Sequence, residues 1–234
     1  MQPEHGRNLI QIATLDEFKK NPNFAKNPEE EATANLSLYP GWKYNEYAWG
    51  MAIDLNRCVG CNACVPVRIV APDFVPGRSL RRVAARNADV TVRIAEPKAS
   101  VEQFRVFARY QHSRHHDSEM ASMTYGDYRA MIEDSPVTTR LVELRGPDQR
   151  ILGGCLVDLL DDGLSAVYSF YDPSDQRRGL GTYLILALIE ETLRRQKPYV
   201  YLGYWIAESP KMAYKARFRP LEALSARGWN AMEA

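Results

Sequence analysis

The stretch from Leu164 to Ile206 constrains the fold of this chain more than any other. Leu164 to Tyr171 reads as a strand, with Val167, Tyr168 and Phe170 suited to it, and Asp172-Pro173 breaks it. Gly179 to Gln196 reads as a helix, apolar through its first turns and amphipathic afterwards, with Pro198 just beyond its end. Tyr199 to Ile206 reads as a buried strand. A strand, a long helix and a returning strand form a crossover unit, which sets the two strands parallel. Ahead of it, Thr139 to Arg145 and Ile151 to Leu160 read as strands, with the turns Gly146-Pro147-Asp148 and Asp161-Asp162-Gly163 after them. The expected fold class is therefore α/β, a meander followed by a crossover.

The first half is less regular. Residues 1–57 carry many Asn, Pro, Glu and Lys and few aliphatics, so weak order is expected there, with a single short helix from Thr14 to Lys20. Val65 to Val70 and Val90 to Ile94 read as strands. Ser79 is the expected cap of a short helix bearing Arg81, Arg82 and Arg86. Ser100 with Gln103 is a capping-box pattern opening a helix to about Arg114, and Thr124 caps a second from Tyr125 to Glu133. Ser209-Pro210 pairs an N-cap with a proline at the first helical position, opening a helix to about Ala216. The expected organisation is an N-terminal segment 1–57, a Cys- and Arg-rich segment 58–99, a helical connector 100–136 and a C-terminal domain 137–234.

Charge is nearly balanced over the whole chain, 30 Lys plus Arg against 29 Asp plus Glu, so only a local asymmetry can speak for nucleic acid. One exists: from Arg68 to Arg93 there are six arginines against Asp73 and Asp89. No apolar run is long enough for a membrane helix, and the first residues lack a signal-peptide pattern. A cytoplasmic protein is expected. Three of the four cysteines, Cys58, Cys61 and Cys64, lie within a few residues of one another, which favours metal or redox chemistry over a disulfide framework. His112 and His116 are spaced four apart on the expected helix, but no neighbouring Glu completes a metalloprotease pattern.

The loop Gln176-Arg177-Arg178-Gly179-Leu180-Gly181 resembles the pyrophosphate loop of GNAT-type acyltransferases. Glycine lets the backbone approach a ligand, and the free amides at a helix start attract anions. A more specific resemblance runs through ordered blocks. They include Cys61-x-x-Cys64-Val65-Pro66-Val67-Arg68, Phe74-x-Pro76-x-Arg78-Ser79-x-Arg81-Arg82, and Asp158-Leu159-Leu160-x-Asp162-Gly163-Leu164-Ser165. Tyr199-x-Tyr201-Leu202-Gly203-Tyr204-Trp205-Ile206 and Ser209-x-Lys211-Met212-x-Tyr214-Lys215 follow. From Cys61 to about Leu224 the chain resembles the bacterial aminoacyl-tRNA–protein transferases, which leucylate or arginylate protein N-termini.

The resemblance implies GNAT-like acyltransferase lobes, the N-terminal one atypical or incomplete. It implies transfer of Leu, alternatively Arg, from charged tRNA to an N-terminal Asp or Glu, marking the acceptor for N-degron degradation. Its partners would be aminoacyl-tRNA and proteins with acidic N-termini, with neither DNA nor membrane. Asp158, Tyr171 and Tyr204 are the expected catalytic residues, Asp158 to orient or deprotonate the attacking amine. Arg78, Arg81, Arg82, Arg86, Lys211 and Lys215 are expected to hold tRNA, and Tyr168, Trp205 and His115 to line the substrate pocket. The chemistry requires no cofactor, because the donor is already an activated ester. An iron–sulfur cluster or zinc at Cys58, Cys61 and Cys64 stays open, although a ferredoxin-type run would place its fourth cysteine where Arg68 stands.

The front of the chain resembles something else. Tyr47 to Val65, with Cys58-x-Gly60-Cys61-Asn62-Ala63-Cys64, is similar to the cluster-binding start of ferredoxin-type oxidoreductase subunits, as if two families were joined at shared cysteines. Two other readings remain, a CoA-dependent N-acetyltransferase and an electron-transfer module.

Overall fold

The computed structural model describes residues 19–20, 64–116, 118–225 and 227–232. Contacts divide the chain into two units, Met1–Val59 and Gly60–Ala234. In the first, Lys19 and Lys20 are helical, and the remainder of the expected helix Thr14 to Lys20 lies outside the described residues. So do Cys58 and Cys61, and with them the residues that carry the ferredoxin-type resemblance, apart from Cys64 and Val65.

The second unit is built on a sheet with eight strands among the described residues: β1 (Val65–Val70), β2 (Thr91–Ala95), β3 (Thr139–Arg145), β4 (Ile151–Leu159), β5 (Gly163–Tyr171), β6 (Tyr199–Trp205), β7 (Leu221–Ser225) and β8 (Gly228–Ala231). Their order across the sheet is β2-β3-β4-β5-β6-β1-β7-β8. Every neighbouring pair is antiparallel except β5 and β6, the crossover pair. Strands from 65–95 thus enter the same sheet as those from 139–231, β2 at one edge and β1 between β6 and β7.

Among the described residues four α-helices cover the two faces: α1 (Arg78–Arg86), α2 (Val101–Arg114), α3 (Tyr125–Glu133) and α4 (Leu180–Arg194). One core joins Leu80 and Val83 of α1 and Leu184, Leu188 and Ile189 of α4 to Val142, Cys155 and Val157. The other joins Val106 and Phe107 of α2 and Tyr128 and Ile132 of α3 to Leu141, Leu156 and Phe170. Being covered on both sides, β4 is buried from Ile151 to Val157 and shows no alternation. In the second core Phe107 meets Phe170 edge to face at 5.8 Å and lies 5.0 Å from the Tyr128 ring. Such pairs add about 0.5–1.5 kcal/mol each to the area they bury.

The capping box read at Ser100 and Gln103 is present, and the expected cap Thr124 forms one with Asp127. These close the starts of α2 and α3. Other expectations need correction. Helix α1 begins at Arg78 behind Gly77, with no side-chain cap, so Ser79 does not cap it. In α2 Val101 is exposed, and the buried positions are Gln103, Val106, Phe107 and Gln111. The helix expected after Ser209-Pro210 does not form. Turns lead instead into a short 3-10 segment, Ala213–Arg217.

Candidate active site

The crossover strands pair only at their start. Gly163, Leu164 and Ser165 face Tyr199, Val200 and Tyr201, and beyond Ser165 no pairing continues. There β5 stays with β4, while β6 follows β1 as far as Trp205 opposite Val65. Irregular pairing accompanies the divergence: β5 and β4 shift register beside Leu156, and Gly203 in β6 takes a left-handed φ of 71°. Diverging strands leave backbone groups without a sheet partner, and the space between them must be filled or liganded.

That wedge holds a cavity of about 420 Å³. Cys155, Ala166, Leu184, Ile185, Leu188 and Leu202 give it apolar walls. Tyr110 and His115 from the end of α2, Ser169 and Tyr171 from β5, Thr182 from α4 and Tyr214 from the 3-10 segment add polar groups. No Asp or Glu lines it among the described residues. Helix α4 opens onto it with Gly181 and Thr182, and no side chain caps that helix. The first-turn amides and the positive end of the helix dipole therefore remain for an anion or a polarised oxygen.

Lys215 is the buried cation of this site. The residue is 7% exposed, and its Nζ donates to the carbonyls of Leu202, at 2.7 Å, and Tyr204. These are carbonyls of β6 beyond the last residue paired with β5. Burial without a carboxylate lowers its pKa to about 8. His115 is also held below its ordinary value, first by burial and then by the nearby charges of Lys211 and Arg114. The His115 ring meets the Tyr110 ring edge to face at 5.5 Å, and Tyr110 lies 4.8 Å from Tyr171. Tyr168 accepts a hydrogen bond from Gln111 Nε2 at 2.6 Å.

Of the residues singled out from sequence, the cavity brings together Tyr168, Tyr171, His115 and Lys215. It does not gather Asp158, Tyr204 or Trp205. Asp158 accepts from Thr139 Oγ1 at 2.9 Å near the end of β4. Tyr204 and Trp205 lie further along β6, opposite Pro66 and Val65. Lys211 is exposed while Lys215 is buried, so the two do not form one tRNA-facing surface as expected. Tyr110, Cys155, Leu202 and Tyr214 were missed, because nothing local distinguishes a cavity wall from ordinary core.

Arg78, Arg81, Arg82 and Arg86 all lie exposed on α1, whose inner face buries Leu80 and Val83. The helix is tied to the loop before α4. Arg86 donates to the carbonyl of Arg177, Asn87 Nδ2 donates to that of Arg178 at 2.8 Å, and Arg178 pairs with Asp89 at 2.7 Å and 2.8 Å. The basic face is thereby anchored to the loop that leads into the cavity wall at Gly181.

Arg68, from the cysteine block, serves the other side of β6. Its guanidinium carbon lies 3.5 Å from the Tyr199 ring centre and 4.2 Å from that of Trp229, and Nε pairs with Glu222 at 2.8 Å. Tyr201 accepts from Arg68 at 3.3 Å and donates to Asp162 at 2.8 Å. Several resemblance-bearing residues thus lock β1, β6, β7 and β8 together. Cys64 is free, and Cys155 is buried, its thiol pushed up to about 12 by burial. Among the described residues no group of three His, Cys, Asp or Glu could hold a metal ion. None of the described helices is long and apolar enough to cross a membrane.

A meander, a crossover helix with an uncapped start, and a splayed parallel pair enclosing a cavity define a GNAT-like acyltransferase fold. Among solved structures, L-PGS from Bacillus licheniformis superposes with a TM-score of 0.53 at 13% identity, covering 69% of this chain and 59% of that one. At that identity the likeness is one of fold alone. The family model described as the C terminus of arginine-tRNA-protein transferase matches residues 102–225. The aspartate/glutamate leucyltransferase of Paramagnetospirillum magneticum is 54% identical over 172 residues, 74% of this chain and 70% of that protein. Its counterpart in Rhodospirillum rubrum is 53% identical over 177 residues, 75% of this chain and 72% of that protein. The chain belongs to the arginine-tRNA–protein transferase family and is an aminoacyltransferase.

Proposed function

We propose that this protein transfers leucine from leucyl-tRNA to the α-amine of an N-terminal aspartate or glutamate, marking the acceptor for N-degron degradation. The observation that carries the donor side is the cavity. Its apolar walls suit an aliphatic side chain, while its lining offers an arginyl guanidinium no carboxylate and sets the Lys215 cation in the same space. An unpaired guanidinium there would be desolvated without compensation. The names of the relatives support the same donor and the acidic acceptors.

In this reading the 3′ end of the tRNA enters over the start of α4, whose amides take its polar oxygens, and the basic face of α1 holds the acceptor stem. The acceptor amine attacks the ester carbonyl, a C–N bond forms, and the C–O bond to ribose breaks. The proton released by the amine ends on the ribose hydroxyl. Asp158 lies outside the cavity lining, so the base role passes to His115, whose lowered pKa keeps the imidazole neutral and ready to accept a proton at neutral pH. Holding amine and ester together supplies much of the rate. Tyr171 and Tyr110 shape the space around the ester.

The test is direct. Purified protein is incubated with labelled leucyl-tRNA or arginyl-tRNA and peptides beginning with Asp, Glu or Ala. Leucine should pass to the acidic peptides. A folded sample that transfers to neither acidic peptide overturns the proposal, and transfer from arginyl-tRNA alone overturns the donor.

A further inference from the structure

The cavity holds one cation whose hydrogen-bonding capacity is only partly used. A lysine ammonium carries three donors. In Lys215 two of them meet the carbonyls of Leu202 and Tyr204, the third has no protein partner among the described residues, and the residue lines the cavity. No Asp or Glu among the described lining residues neutralises it. A buried ammonium without an anion is costly, and such a group is retained where a ligand supplies the missing charge.

The reacting partners narrow down what that ligand is. This step rests on the aminoacyl transfer proposed above. The donor brings a neutral ester, an apolar side chain and its own amine, none of which calls for a fixed cation. The tRNA phosphates have the start of α4 and the exposed arginines of α1. The acceptor's acidic side chain is the formal anion left to place. We propose that Lys215 is the specificity-determining residue for the acceptor, its remaining N–H pairing with the side-chain carboxylate of the N-terminal Asp or Glu. The backbone carbonyls of β6 hold the ammonium in place, so the recognition element is part of the splay that makes the cavity.

Other titratable groups face the same space: Tyr110 and His115 from α2, Cys155 from β4, Tyr168 and Tyr171 from β5, and Tyr214 from the 3-10 segment. Tyr204 stands on β6 itself. His115 is shifted downward, and Cys155, Tyr110, Tyr168, Tyr204 and Tyr214 are shifted upward, away from neutrality. Lys215, near 8, titrates between them.

The experiment compares leucyl transfer from leucyl-tRNA to two peptides that differ only in their first residue, Asp or Asn. In the unaltered protein the Asp:Asn ratio of kcat/KM, with each rate corrected for the measured ionisation of its own peptide's α-amine, should fall about fourfold from pH 7 to 8.5, following the ammonium. In Lys215→Gln, which keeps amide donors for the carbonyls but loses the charge, the ratio at pH 7 should fall on the order of tenfold. A ratio independent of pH overturns the assignment, and so does a variant that loses both rates equally, which would place Lys215 on the ester oxygen instead. If Lys215→Gln fails to fold, the pH series on the unaltered protein decides. An unaltered protein that transfers to neither peptide removes the transfer reading, and this inference with it. Normal transfer with an unmoved ratio removes this inference alone.

Discussion

A Cβ placed on Gly181, in the first turn of α4, would stand 2.8 Å from Cε1 of the Tyr171 ring on β5. Helix and strand approach closely enough there that only a glycine leaves the ring where it is. Alanine would favour the helix by about 1 kcal/mol, while overpacking costs about 1–3 kcal/mol. The two nearly cancel in stability, but the ring must move and it lines the cavity. Gly181→Ala should therefore keep its unfolding midpoint close to that of the parent and lose roughly tenfold or more in kcat/KM for transfer. An active variant would show that the Tyr171 ring has no part in positioning substrate.

Lys215 links the site to stability. Its pKa is about 8 in the native protein against an ordinary 10.5. Between those values the unfolded chain holds a proton that the native chain has released, so this residue makes stability rise with pH across the window. Cys155 acts in the opposite sense, because its native thiol stays protonated to about 12 while the unfolded thiol ionises near 9. A comparison of parent with Lys215→Met isolates the lysine. The parent should gain roughly 2 kcal/mol relative to the variant between pH 7.5 and 9.5, measured by denaturant unfolding. A difference that is flat with pH would mean that the ammonium is not desolvated.

Arg81 and Arg82 lie exposed on α1, and Arg81 donates to the carbonyl of Pro76. Replacing both by Ala should leave the thermal midpoint almost unchanged, since neither side chain is in the core. Binding of tRNA should weaken and its salt dependence flatten, the slope of log K against log salt falling by about 0.7–0.9 for every phosphate that is no longer neutralised. Equal slopes for variant and parent would take these arginines off the RNA path.

Asn87 closes α1 and reaches across to the loop before α4. Its buried Nδ2 donates to Val83, at 2.9 Å, and to Arg178, at 2.8 Å. Asn87→Ala leaves both carbonyls short of a donor in a dry place, which should cost about 1–3 kcal/mol in chemical denaturation. Asp89→Asn, which weakens the more exposed pairing with Arg178, should cost less. The reverse order would mean that charge rather than the buried amide ties α1 to the loop.

Much of the local structure was legible in the residues. Ser100 with Gln103 and Thr124 announce the helices they cap, because the signal is a donor and acceptor three residues apart. Gly179 and Pro198 bracket α4, and the apolar run between them implies a helix covered by a sheet. The meander and the crossover follow from the same local reading. The ordered motif blocks led to the family that the comparisons show.

What tertiary structure alone decided was where distant segments meet. No window of sequence contains the pairing that inserts β1 between β6 and β7, or the β5–β6 pairing that ends at Ser165. Ser209-Pro210 carries a sound helix-start signal, yet the chain there forms turns and a 3-10 segment, with Lys215 bonded to carbonyls of the splayed strand. Lys211 and Lys215 were both expected to hold tRNA, while the fold exposes one and buries the other. Local pattern reports what a segment prefers when its surroundings are unknown. Which lysine reaches the carbonyls of Leu202 and Tyr204 depends on how the segment after β6 meets the assembled sheet, and that contact determines which lysine becomes part of the site.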